Sequence, residues 1–245
     1  MVKKIISTLR IKEIIQIEWK LINIAQDAIK KLYTKKKNME ELKIKHMTLG
    51  QMATNCYIIE NGNQSLIVDP GAESEKIIQY LNENHLNISA ILLTHGHFDH
   101  IGAVDDLVNK YQCSVYLHER DYNCFYDDDI NLSNYSKPLN MQTKITLVKD
   151  FIECAGFKIQ FLNLPGHTHG SCFVIFQDHH IIFSGDVIFK GAVGRYDFPN
   201  SSLEETIASI EKIKGISGNY LIYPGHGPST TLDDEKRNNP YLNRL

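Results

Sequence analysis

Seven histidine and aspartate side chains in this sequence have the types and the spacing of a metal site. Four of them lie close together and three follow singly: His95, His97, Asp99 and His100, then His167, Asp186 and His226. Imidazole and carboxylate groups without thiolate suit Zn²⁺ first, with Fe or Mn as alternatives. Four neighbouring side chains cannot all reach one ion comfortably, so their density predicts two divalent metal ions. A carboxylate such as Asp186 has two oxygens and can bridge such a pair.

The surrounding elements place these residues where strands end. A short apolar run at residues 90–93 predicts a buried strand, and the cluster from His95 to His100 stands between it and a predicted helix beginning at residue 101. His167, Asp186 and His226 each follow a glycine, which allows a tight turn. We expect further strands at 43–49, 56–60, 65–68, 114–117, 157–162, 172–176, 180–184 and 220–223, and helices at 73–84 and 202–214. Ligands on such turns can converge while the regular elements hold them rigid.

The run His95-Gly96-His97-Phe98-Asp99-His100, with the three later residues in order, resembles the metallo-β-lactamase-fold hydrolase superfamily. The resemblance extends from about residue 43 to the end of the chain. It implies an α/β (α+β) fold, an αββα sandwich of two mixed β-sheets flanked by helices, with a dinuclear site along one edge. It also implies that His95, His97 and His167 hold the first metal, that Asp99, His100 and His226 hold the second, and that Asp186 bridges them.

Two later stretches, residues 185–199 and residues 224–231 running on to 239–242, resemble the short glyoxalase II-like, or hydroxyacylglutathione hydrolase-like, branch. This resemblance implies an enzyme that hydrolyses the thioester bond of a small molecule similar to S-acylglutathione, for example S-lactoylglutathione. A hydroxide shared by the two metals would attack the carbonyl, and Asp99 would orient it as the catalytic residue.

Three residues after the expected bridging carboxylate are candidates for substrate binding. Lys190 and Arg195 can meet a carboxylate of an anionic substrate, and Phe189 can form a pocket wall. In glyoxalase II a basic residue at about the position of Arg195 contacts glutathione. The alternative for Arg195 is an internal ion pair with Asp197.

Other activities fit the same ligand set. A persulfide dioxygenase with one iron resembles this branch, although Gly96 and Phe98 favour hydrolysis. A lactonase or another acyl hydrolase is a further alternative, because the fold does not select the substrate. A third is a non-catalytic interaction protein that works through its basic N-terminal segment.

The charge of the chain is uneven. Residues 1–40 hold ten lysines and arginines against four acidic residues, whereas residues 41–245 hold sixteen against twenty-five. An acidic body argues against nucleic acid as a partner. Apolar residues three or four apart predict a basic amphipathic helical extension at 1–40, followed by the hydrolase domain at 43–245.

The remaining features of the sequence bear on where in the cell the protein is located. No apolar run approaches the roughly 18 residues of a membrane span, and the start lacks the pattern of a signal peptide. The five cysteines are scattered, which fits reduced thiols. We expect a cytoplasmic protein with no integral membrane segment and a small acyl thioester as its partner; the sequence leaves the oligomeric state unknown.

Overall fold

The computed structural model describes residues 42–244, together with Lys20, Ile24 and Gln26. Apart from these three positions, the helical extension predicted for residues 1–40 lies outside the described residues. Among the described residues, none of the helices combines the length and the apolar character needed to cross a membrane.

The first half of the body forms a six-stranded sheet. Its strands are β1 (Lys43–Leu49), β2 (Thr54–Asn61), β3 (Gln64–Val68), β4 (Asn87–Leu93), β5 (Ser114–His118) and β6 (Thr146–Val148), which lie side by side in that order. The first three are antiparallel and the last four are parallel to one another, so the sheet is mixed. The helices of this half are α1 (Ser74–Glu83), α2 (Phe98–Ile101), α3 (Val104–Tyr111) and α4 (Tyr122–Tyr126).

The second half forms the other mixed sheet. Its elements are β7 (Phe151–Cys154), β8 (Phe157–Asn163), β9 (Cys172–Phe176), β10 (Ile181–Gly185), β11 (Ile188–Phe189), β12 (Ala192–Val193), α5 (Leu203–Gly215), β13 (Leu221–Pro224), β14 (Thr230–Thr231), α6 (Leu232–Asn238) and α7 (Pro240–Arg244). Six strands lie in the order β14-β13-β10-β9-β8-β7, and only β10 and β13 are parallel. β11 and β12 form a separate hairpin. Short 3₁₀ turns cover Glu119–Asp121, Ser133–Tyr135 and Gln177–His179.

Three apolar clusters hold the layers together. Between the two sheets, Leu66 and Leu92 of the first belong to the same buried cluster as Phe161 and Phe183 of the second. Helices cover the outer faces of the two sheets. On the first sheet, Ile67 and Ile91 belong to the same buried cluster as Leu81 of α1 and Leu107 of α3. On the second sheet, Phe173 and Ile182 belong to the same buried cluster as Ile210 of α5 and Leu242 of α7. This order of helix, sheet, sheet and helix confirms the αββα sandwich that the resemblance implies.

One predicted element is divided in the structure. The chain is already helical from Phe98, in α2, and the helix expected from residue 101 is interrupted at Gly102 and Ala103 before it continues as α3. The turn at Asp69-Pro70-Gly71 packs against this break, and the amide of Ala103 donates a hydrogen bond of 2.9 Å to the carbonyl of Pro70. A β-carbon on Gly71 would lie 1.6 Å from the carbonyl oxygen of Asp99, so glycine is required for this approach. The break therefore comes from tertiary contact with a segment about 30 residues earlier.

Candidate metal centre

The seven predicted ligands converge at one edge of the sandwich. They follow the C-terminal ends of four strands: β4 precedes His95, β8 precedes His167, β10 precedes Asp186 and β13 precedes His226. Their ligand atoms form three overlapping groups, each within 4.8 Å: His95 with His97 and His167, His95 with His100 and Asp186, and Asp99 with His100 and His226. Two of these groups have the membership that the resemblance gives to the two metals. The ligand roles themselves stay predictions.

Asp186 lies between those two groups. Its Oδ2 atom is 3.5 Å from Nε2 of His167 and 3.5 Å from Nε2 of His226, and its Oδ1 atom is 3.3 Å from Nε2 of His100. Hydrogen bonds between an imidazolium and a carboxylate are shorter, about 2.7–2.9 Å. Two ligands about 2.1 Å from a tetrahedral ion stand about 3.4 Å apart. These separations fit ligands that share an ion better than ligands bonded to each other.

The cluster also contains buried polar atoms without a hydrogen-bond partner. They are Nε2 of His95, Nε2 of His97, Nε2 of His100 and Oδ1 of Asp186. A buried polar atom left unsatisfied costs free energy, so several at one point indicate a group that they bind. Neutral imidazole and carboxylate donors fit a borderline divalent cation, and the residues present therefore suit a pair of such ions.

Residues outside the cluster set the orientation of its rings. Nδ1 of His100 lies 3.0 Å from Oδ2 of Asp69, and Nδ1 of His167 lies 2.8 Å from the carbonyl oxygen of Arg195. Thr94 donates its amide and its hydroxyl to Asp69 at 2.8 and 2.6 Å. In both histidines the other nitrogen, Nε2, faces the cluster. Such supporting contacts fix the tautomer and the direction of a metal-binding imidazole.

A second buried carboxylate joins the two loops that supply the first group of histidines. Asp121 accepts hydrogen bonds from the amide of Gly96 at 2.9 Å, the amide of Gly170 at 2.7 Å and the hydroxyl of Thr168 at 2.8 Å. Burial raises the pKa of Asp121, and these three hydrogen bonds oppose the shift. Asp121 therefore ties the loop of His95 and His97 to the loop of His167.

Sequence reasoning missed both carboxylates. The sequence does contain a feature that points to Asp69, because this residue follows a predicted strand directly and begins the Pro70-Gly71 turn. No such feature points to Asp121, because it lies in a 3₁₀ turn and its hydrogen-bond partners are 25 to 49 residues away in sequence.

Burial and the nearby carboxylates act in opposite directions on the histidines of the cluster. Burial lowers the pKa of His95, and it lowers the pKa of His97 to about 3. Burial acts in the same direction on His100, but the charges of Asp99, Asp186 and Asp69 outweigh it and raise the pKa of that ring. The same carboxylates favour a divalent cation there.

Glycine permits the close approach of the last ligand loop. A β-carbon on Gly225 would lie 2.2 Å from Oδ1 of Asp186 and 2.7 Å from Cε1 of His100. The amide of Gly225 donates a hydrogen bond of 2.8 Å to the carbonyl of Gly185. The side chain of any larger residue at position 225 would clash with Asp186 and His100, which explains why glycine precedes His226.

The three candidate substrate residues lie apart. The ring of Phe189 is 6.0 Å from the ring of His226, beside the cluster. Arg195 and Asp99 line the same groove, and the guanidinium of Arg195 makes two hydrogen bonds of 2.9 Å to Asp197. Lys190 lines a different depression, together with Thr230 and Glu235. The structure thus shows the internal ion pair that is the alternative for Arg195, and it does not bring Lys190 to the groove. Their roles in substrate binding stay predictions.

The chain is similar to known proteins over most of its described body. The family model described as the metallo-beta-lactamase superfamily matches residues 49–226. The chain is 37% identical to "Probable metallo-hydrolase YqgX" of Bacillus subtilis, over 82% of this chain and 98% of that protein. It is 35% identical to hydroxyacylglutathione hydrolase GloC of Haemophilus influenzae, over 77% of this chain and 92% of that protein.

Solved structures show the same similarity. The BLEG-1 B3 metallo-beta-lactamase matches with a TM-score of 0.77 at 33% identity, covering 82% of this chain and 99% of the other. TTHA1623 in a di-iron-bound form matches with a TM-score of 0.74 at 35% identity, covering 80% and 99%. With a family match over most of the described body and relatives this similar, the chain belongs to the metallo-β-lactamase superfamily and is a metallo-hydrolase of that superfamily.

Proposed function

We propose that this protein hydrolyses the thioester bond of a small S-acylglutathione-like molecule, of which S-lactoylglutathione is an example. The observation that carries the proposal is the cluster of seven predicted ligands, with unpartnered buried nitrogens, one member of which, Asp99, lines an open groove. The similarity to a hydroxyacylglutathione hydrolase supports thioesters as the substrate class.

His95, His97 and His167 would hold one metal ion, and Asp99, His100 and His226 the other, with Asp186 shared between them. Zn²⁺ is the first candidate and Fe or Mn the alternatives. When bound, such a pair supplies a water of lowered pKa and polarises the carbonyl of the substrate. Asp69, Thr94 and the carbonyl of Arg195 keep the rings of His100 and His167 directed at the cluster.

Asp99 would orient the attacking water. It is the one member of the seven that also lines the groove. Its Oδ2 atom accepts a hydrogen bond of 2.8 Å from the hydroxyl of Thr54 and lies 3.3 Å from Nε2 of His226, so the carboxylate is held in place from two sides. The leaving thiolate is stable in water, so no acid is needed to protonate it. Positioning and removal of one proton are the tasks left to this chain.

The test combines metal analysis with a panel of substrates. The purified protein should contain up to two divalent ions per chain and should hydrolyse thioesters faster than a lactone or a β-lactam. Asp186→Ala should lower the metal content and reduce hydrolysis by about 100-fold or more, since it removes a shared ligand. Asp150→Ala, at an exposed carboxylate that is not among the seven, is the matched control and should retain both. One iron per chain with oxygen consumption on glutathione persulfide would contradict the proposal.

A further inference from the structure

The groove beside Asp99 has a volume of about 900 Å³ and mostly apolar walls. They come from the loop after β1, the first turn of α2, the segment around the 3₁₀ turn Ser133–Tyr135, and the segment around residue 198. The apolar side chains include Met52, Phe98, Leu132, Tyr135, Leu139 and Phe198. A lactoyl group has three carbons and one hydroxyl, and it would fill only a small part of this volume.

The groove extends directly from the metal centre. Asp99 is one of its lining residues. The ring of Phe198 lies 5.5 Å from the ring of His97 and 5.8 Å from the ring of His167, measured between centroids. A group whose carbonyl sits at the cluster can therefore lay its chain against Phe98 and Phe198.

The charges of the groove disfavour an anionic chain. Among the described residues that line it, Arg195 is the only cationic side chain, and Glu73, Asp99 and Asp197 are acidic. Arg195 makes its two hydrogen bonds to Asp197, and its guanidinium carbon lies 4.3 Å above the ring of Phe198. An added carboxylate would have to compete with Asp197 for that cation.

The walls are held in place by contacts within the protein. The carboxylate of Asp128 accepts a hydrogen bond of 2.7 Å from the hydroxyl of Ser133 and one of 3.2 Å from the amide of Leu139. The amide of Phe98 donates to the carbonyl of Asn131 at 2.9 Å. These bonds fix the segment around Leu132 to the start of α2, so a ligand meets a groove that is already formed and pays little entropy for ordering it.

We propose that this groove binds the acyl part of the thioester, and that the preferred acyl group is an aliphatic chain longer than lactoyl. The inference rests on the proposed thioester hydrolysis and specifies its substrate. Burial of the chain against Met52, Phe98, Leu132 and Phe198 provides the selectivity, since apolar surface removed from water favours binding in proportion to its area.

A series of S-acylglutathiones with one common leaving group tests this. The metal-loaded full-length enzyme is assayed with acetyl, butanoyl, hexanoyl, octanoyl and lactoyl thioesters. Each methylene buried should raise kcat/KM by up to about fourfold, so hexanoyl, with four more methylenes than acetyl, should exceed it by up to about 250-fold. A flat or falling series, or lactoyl as the best substrate, would overturn the inference and leave thioester hydrolysis intact. Failure to hydrolyse any member would instead refute the proposed function.

Binding without turnover gives a second measurement. S-octylglutathione and S-methylglutathione are thioethers that cannot be hydrolysed, and calorimetry on the metal-loaded protein measures their dissociation constants. The octyl compound should bind at least about tenfold more tightly. Equal affinities would show that the groove does not hold the chain.

Two variants at residues of similar exposure test whether the preference for long acyl chains depends on the groove. Met52 is 54% exposed and lines the groove, so Met52→Asp should fold and should lower the ratio of octanoyl to acetyl kcat/KM by about tenfold. Leu147, 46% exposed in β6, does not line the groove, so Leu147→Asp should keep the wild-type ratio. An unchanged ratio in Met52→Asp, or an equal fall in both variants, would contradict the assignment.

Discussion

The Oδ2 atom of Asp69 lies 3.0 Å from Nδ1 of His100, and both side chains are buried. Asp69 comes from the end of β3 and His100 from α2, so the contact links two neighbouring strand ends of the first sheet. Because Asp69 occupies Nδ1, the ring of His100 presents Nε2 to Asp186 and Asp99.

Replacing Asp69 should weaken the metal site that includes His100. In Asp69→Asn the contact no longer carries a negative charge, and the ring is less firmly held. We expect metal affinity to fall by about 10- to 100-fold, measured by competition with a chelator. Asp105→Asn is the control, because Asp105 likewise accepts two hydrogen bonds, in its case from the amides of Gln142 and Thr143, and is not one of the ligands. The role of Asp69 would be wrong if both variants bound metal like the wild type.

Asp121 should matter both to stability and to the first group of histidines. Asp121→Asn places an amide where three donors converge, so at least one hydrogen bond is lost. We expect the free energy of unfolding to fall by about 1–3 kcal/mol, measured by urea titration of the metal-free protein.

The metal content of the folded Asp121→Asn variant shows whether Asp121 positions the histidine loops or only stabilises the fold. Under conditions where the variant is fully folded by circular dichroism, it should bind metal more weakly than the wild type, because Asp121 joins the loops of His97 and His167. Wild-type metal affinity in the folded variant would limit Asp121 to a structural role.

Gly225→Ala should displace the ligands directly. Its β-carbon would lie 2.2 Å from Oδ1 of Asp186, so the carboxylate or the backbone has to move. We expect fewer metal ions per chain and a loss of hydrolysis. Gly215→Ala, at the end of α5 with no atom within 4 Å of the new β-carbon, should retain metal and gain up to about 1 kcal/mol in stability. Full occupancy in Gly225→Ala would show that the loop tolerates the shift.

A surface network predicts how stability depends on pH. The carboxylate of Glu205 accepts a hydrogen bond of 2.7 Å from the guanidinium of Arg120, and its other oxygen lies 2.8 Å from Nδ1 of His169. Partial burial acts to raise the pKa of Glu205, but the hydrogen bonds from Arg120 and His169 outweigh it and hold the pKa below its ordinary value of 4.5. A carboxylate with a lowered pKa in the folded state stabilises the fold above its unfolded pKa, and this contribution disappears as the pH falls through the folded value.

The variant Glu205→Gln removes this contribution. In metal-free protein at pH 7, its free energy of unfolding should be lower than that of the wild type by up to about 1 kcal/mol, because the pair is partly exposed. The difference should shrink as the pH falls below about 4.5. Urea titrations at pH 7 and pH 3 measure it, and a difference that stays constant with pH would exclude the ionised carboxylate as its cause.

Deleting residues 1–38 should leave hydrolysis unchanged. The family model begins at residue 49, and the first strand of the body begins at Lys43. Loss of turnover with an intact metal content would mean that the N-terminal segment takes part in the chemistry.

Strands and helices with a strong local pattern were predictable from the sequence. The apolar run at 90–93 lies within β4, and the helix predicted at 202–214 is α5, shifted by one residue. The short strands β6, β7, β11, β12 and β14 were not predicted, because two to four residues carry too little periodicity. The break between α2 and α3 was missed because the contact that causes it comes from the turn at Pro70.

The sequence by itself determined the identity of the seven candidate ligands and their attachment to strand ends, because residue type and strand periodicity are local properties. Only the tertiary structure decided what surrounds them. The contact of Asp69 with His100, the clamp of Asp121 on two loops, the pairing of Arg195 with Asp197 and the apolar walls of the groove all join residues through space. Such contacts depend on how the layers pack, and no local pattern in the chain encodes them.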